Sequence, residues 1–78
     1  MRQIRHRTKL PPDLLIKRIS TLLESAEIVE GCIGDLIAEV QMPDIALEKI
    51  QFSQSLTRRQ IGCLKRAIEA AETLLSDQ

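Results

Sequence analysis

Few residues in this chain could carry covalent or acid–base chemistry. One histidine, His6, and two cysteines, Cys32 and Cys63, stand among 78 residues. A Ser-His or Cys-His nucleophile needs an imidazole held beside the hydroxyl or thiol. His6 instead lies in an acid-free opening segment, residues 1–11, with Arg2, Arg5, Arg7 and Lys9, where an imidazole is simply solvated. The cysteines form neither a CxxC nor a His/Cys cluster, so the spacing of a zinc site is missing. Glu24, Glu27, Glu30, Asp35 and Glu39 supply carboxylates, but a di-metal carboxylate bundle also needs Glu-x-x-His pairs that point inward. The expectation is a protein that is not an enzyme, with no catalytic residue, metal or cofactor.

Two features concern recognition rather than catalysis. Arg58, Arg59, Lys65 and Arg66 could meet nucleic-acid phosphates, or they could neutralise the acid-rich first half of the chain. Thr57 and Gln60 have the spacing of a capping box. A helix break there would turn 44–66 into a helix-turn-helix-like segment, its second helix opening on two arginines and the basic arm reaching a groove. Against the break, the apolar spacing keeps its phase from Ile50 to Ile61. Nucleic-acid binding by that segment and the arm is therefore the alternative function.

Composition points the same way. Eleven basic and eleven acidic residues cancel, which disfavours a binder driven by total positive charge. Phe52 is the sole aromatic residue, so there is no platform on which bases could stack. Apolar residues make up 44% of the chain and charged ones 28%, as in folded globular proteins. The N-terminus lacks the apolar core of a signal peptide, and no apolar run approaches the ~20 residues that span a bilayer. With its unpaired cysteines, the chain reads as cytoplasmic, with no membrane partner.

The elements that position these residues are helices. Pro11-Pro12-Asp13 suits a helix start, with proline in the first turn and an acid at the positive end of the dipole. Leu15, Ile19, Leu22, Ala26, Val29, Ile33, Leu36 and Val40 then alternate steps of four and three, a heptad seam. Ile16, Leu23 and Ile37 widen it. Pro43 disfavours helical geometry at Met42, so the first helix should cover about 12–41 and the second about 43–76. Leu47, Ile50, Gln54, Thr57, Ile61, Leu64, Ile68, Ala71 and Leu75 form the second seam. Ile45, Phe52, Leu56, Cys63, Ala67, Ala70 and Leu74 form another row beside it.

So short a connection predicts an all-α antiparallel hairpin of two long helices, each about 45 Å, over 12–78, preceded by a mobile basic arm at 1–11. Folding back at 41–43 makes residue i face about residue 84 − i. That register brings Glu24 and Glu27 to Arg58 and Arg59, Asp35 to Lys49 and Lys17 to Glu69. Glu30, Gln54 and Thr57 form a polar layer at mid-height that would fix register, with close backbone approach near Gly31 and Gly34. A lone hairpin leaves its second apolar row wet, and a chain this short has little core of its own. Two copies are therefore expected to close into a homodimeric four-helix bundle. Its interface, for the twin or for a further protein partner of unknown identity, should use Ile16, Leu23, Ile37, Phe52, Leu56, Cys63 and Leu74. The expected role is that of a small interaction or regulatory module.

Overall fold

A computed structural model of the chain describes residues 10–76. It is all-helical: α1 spans Pro12–Glu39 and α2 spans Asp44–Ser76, and the two pack against each other. Residues 1–9 lie outside the described residues, and with them His6, Arg2, Arg5, Arg7, Lys9 and nearly all of the basic arm.

The prolines set the boundaries. Pro11 is extended at φ −57° and ψ 146°, and its carbonyl accepts the Leu15 N–H at 3.0 Å, the first bond of α1. Pro12 and Asp13 follow in the first turn, where a missing N–H costs nothing and a carboxylate meets the dipole favourably. At the other end Val40 leaves helical geometry at φ −112° and ψ 124°, its N–H still bonded to the Leu36 carbonyl at 3.0 Å. α1 is thus two residues shorter than the sequence suggests. The second helix begins on the Pro43 carbonyl, which accepts the Leu47 N–H at 2.9 Å. Proline cannot continue a helix into itself but can open one, and that asymmetry places the reversal at 40–43.

The second helix is unbroken from Asp44 to Ser76. The Thr57 hydroxyl donates to the Ser53 carbonyl at 3.0 Å, inside continuous helix rather than at the start of a new one. Ser55 bonds back to Gln51 in the same way. Hydroxyls in mid-helix commonly close on the carbonyl four residues earlier, and here that bond takes the place of a cap. Residues 44–66 are one rod, with no turn to separate a recognition helix.

α2 turns its expected seam inward: Leu47, Ile50, Gln54, Thr57, Ile61, Leu64 and Ile68 are half-buried and Ala71 is buried, although Leu75 at the end is exposed. In α1 the seam is rotated. Ile16, Ile19, Leu23, Ala26, Glu30, Ile33 and Ile37 take the covered positions, whereas Leu22, Val29, Leu36 and Val40 are exposed. The cause lies in adjacent apolar pairs, Leu22-Leu23 and Leu36-Ile37. Each pair offers two stripes about 100° apart, and spacing alone does not choose between them.

The glycines do not mark a close crossing of backbones. A Cβ added at Gly31 or Gly62 would meet nothing within 4 Å, and at Gly34 only the Gln54 amide at 3.9 Å. Gly31→Ala and Gly62→Ala should therefore each stabilise the protein by roughly 0.5–1 kcal/mol, the ordinary helix-propensity gain. Urea unfolding of each variant beside the parent checks this.

Candidate functional site

Among the described residues only Ala26 and Ala71 are buried, at 7% and 3% exposure, and no large side chain is fully covered. The exposed apolar residues are distributed unevenly over the hairpin. Leu22, Ser25, Ala26 and Val29 of α1 share an open groove of about 200 Å³ with Thr57 and Gln60 of α2. Leu36 continues the Leu22–Val29 stripe seven residues on. Leu56, Cys63 and Ala67 lie four residues before, three after and seven after Gln60, so they share its side of α2. Leu74 and Phe52 extend that row. Both exposed apolar stripes thus open on the same broad side of the two-helix layer.

The reverse side is polar. Arg58 is about 200° around α2 from Gln60, and its Nε donates to the Glu30 carboxylate at 3.1 Å. Gln51 and Lys65 lie one heptad either side of Arg58. Hairpin edges are mixed: Ile28 is 67% exposed and Ile45 69% exposed at their margins.

The residues singled out in the sequence separate as follows. Ile16, Leu23 and Ile37 are half-buried between the helices and so occupy the hairpin's own seam. Phe52, Leu56, Cys63 and Leu74 are exposed. Leu22, Val29 and Leu36 are members of the exposed face that the heptad reading assigned to the seam. For Leu22 and Leu36 the signal was present in the sequence as the apolar neighbour of an inward residue, Leu23 or Ile37, whereas Val29 adjoins the inward Glu30.

The polar layer forms around Glu30, Gln54 and Thr57, all half-buried. Glu30 meets Arg58, Thr57 bonds its own helix, and Gln54 lies beside Gly34. No buried side-chain polar atom among the described residues lacks a partner.

Arg58–Glu30 is the one ion pair among the described residues. The charge pairs expected from register, Glu24 and Glu27 with Arg58 and Arg59, Asp35 with Lys49, Lys17 with Glu69, are not formed. The groove lining centres between residues 25 and 26 of α1 and between 58 and 59 of α2, a sum of about 84, while the long side chains of Arg58 and Gln54 reach Glu30 and Gly34 at sums of 88. Long exposed side chains lose conformational freedom on pairing, and the Coulomb gain in water barely offsets that loss. Arg58→Ala should accordingly lower stability by no more than about 1 kcal/mol, read as the shift in urea midpoint.

Of the four cations considered for nucleic acid, Arg58 and Lys65 share one stripe, and Arg59 and Arg66 share another about 100° away. Arg66 also reaches the Cys63 sulfur at 3.8 Å. The whole of α1 carries six acids (Asp13, Glu24, Glu27, Glu30, Asp35, Glu39) and two bases (Lys17, Arg18), a net of −4. α2 carries five bases (Lys49, Arg58, Arg59, Lys65, Arg66) and four acids (Asp44, Glu48, Glu69, Glu72), a net of +1. Both cysteines are exposed and free. Among the described residues, no three His, Cys, Asp or Glu side chains converge as a metal site would require, and no helix is long and apolar enough to cross a membrane.

Comparison with protein-family models, curated proteins and solved structures found no match for this chain.

Proposed function

We propose that this protein is a non-catalytic interaction module whose working form is a homodimer, two hairpins closed into a four-helix bundle. One observation carries the reading: a two-helix hairpin of mixed composition that, among the described residues, buries only Ala26 and Ala71. Burial of apolar side chains is the main term opposing conformational entropy. A hairpin whose leucines, isoleucines and phenylalanine are half-wet or exposed lacks that term until another surface covers them. Regulation by contact with a further protein fits a small rigid bundle that presents charged outer sides. A reduced, cytoplasmic setting suits two exposed free thiols.

The nucleic-acid alternative draws less support. Its helix break is replaced by continuous helix, and Arg58 is engaged by Glu30. Sedimentation equilibrium at micromolar concentration tests the main reading. Twice the chain mass is expected, and a helical, folded species of single-chain mass would overturn it.

A further inference from the structure

The apolar face has a definite occupant and a definite arrangement, which rest on the dimeric reading above. We infer that a second copy of the chain seats on the Leu22–Val29–Leu36 side with its reversal at the same end of the bundle. Each α1 then lies antiparallel over the partner's α2.

Size, symmetry and charge support this. α1, with 28 residues, is about 42 Å long, and two helices side by side are about 20 Å across, giving a face of about 800 Å². That matches one side of a standard stable interface. The face is a two-helix layer with apolar stripes on both helices, so a twofold axis can bring it onto itself.

Two such axes exist for stacking the layers face to face. An axis perpendicular to the helices puts the reversals at opposite ends and sets α1 over the partner's α1, one net −4 helix against another. An axis parallel to the helices sets each net −4 helix between two net +1 helices, its own and the partner's, and leaves the two α1 helices diagonal. Like charges at an interface oppose association and opposite charges set its orientation. The parallel axis wins on this term.

The parallel axis preserves height. Facing positions in the hairpin sum to about 84–85, as at the centre of the groove between Leu22–Val29 and Thr57–Gln60. Leu22 then meets Cys63 of the partner subunit, and Val29 meets Leu56 of the partner subunit. The perpendicular axis instead opposes Leu22 and Val29 of the two α1 helices.

Cysteine crosslinking separates these arrangements, because a disulfide tolerates only about 4.4–6.8 Å between Cα atoms. The first variant, Leu22→Cys with Cys32→Ser, keeps the native Cys63. The second, Val29→Cys with Leu56→Cys, carries serine at both native cysteine positions. A third, Leu22→Cys with Val29→Cys, has the same serine background. Each is oxidised gently, after light scattering and circular dichroism on the reduced form, and run on a non-reducing gel.

Covalent dimer from the first two, with little from the third, is the expected result. Covalent dimer from the third alone would overturn the arrangement in favour of the perpendicular axis. A reduced form that scatters as a dimer yet crosslinks in none of the three, with its thiols still free after oxidation, would overturn use of this face. A reduced, helical form of single-chain mass would overturn the dimer itself, and with it both readings. The second pair guards against a folding defect peculiar to the Leu22 substitution.

Discussion

Replacing Val29 with glutamate is expected to dissociate the protein and take most of its helix with it. Val29 is 49% exposed on the hairpin alone, so a single folded chain would accept a carboxylate there with little penalty. In the dimer the same position is central, and twofold symmetry puts two carboxylates into the apolar layer. An unpaired charge in such a place costs several kcal/mol, against a total stability of about 5–15 kcal/mol for a typical domain. The hairpin has only two buried alanines to fall back on, so losing the partner should mean losing the fold. Far-UV circular dichroism and sedimentation of Val29→Glu, beside Gln51→Glu on the polar side, make the measurement. Gln51→Glu should stay within about 0.5 kcal/mol of the parent. A helical Val29→Glu of unchanged mass would refute the assignment of this side as the covered one.

The stability of the unaltered chain is expected to depend on how much of it is present. When folding and association are one event, unfolding is bimolecular in reverse, and each tenfold dilution removes about 1.4 kcal/mol of apparent stability. Over a hundredfold range the urea midpoint should fall by an amount equal to about 2.8 kcal/mol divided by the denaturant slope. A hairpin that stays a single chain as it folds and unfolds would show a midpoint independent of concentration. The two results are far outside the error of the method, and no variant is needed.

The seam of α2 was legible because its large apolar residues, Leu47, Ile50, Ile61, Leu64 and Ile68, have no leucine, isoleucine, valine or phenylalanine next to them in the chain, and only the small Cys63 and Ala67 stand beside them on the outer stripe. Mid-helix polar residues did not obscure it, since Gln54 and Thr57 keep the same step. The phase of α1 was not legible. Leu22 and Leu23, or Leu36 and Ile37, have nearly equal hydrophobicity, and a heptad count over 28 residues accepts either as the inward one. The polar layer could be read from Glu30, Gln54 and Thr57, but the particular bond from Arg58 to Glu30 could not. The 84 − i register would have sent Arg58 to Glu24 or Glu27, and the reach of an arginine side chain exceeds the error of that estimate. The Thr57–Gln60 capping signal was a true local pattern outcompeted by continuous helix packing on both sides of it.

The order of residues by itself determined that this chain is helical, that it reverses at 40–43, and that the second helix packs through the Leu47–Ala71 line. These follow from proline geometry and apolar periodicity, which act within a few turns of chain. Only the tertiary structure decided which stripe of α1 goes inward, and hence which broad side of the hairpin keeps Leu22, Val29 and Leu36 in water. That choice depends on which side chains of α1 and α2 fit at a common height, and fit across 30 residues is a property of two surfaces together.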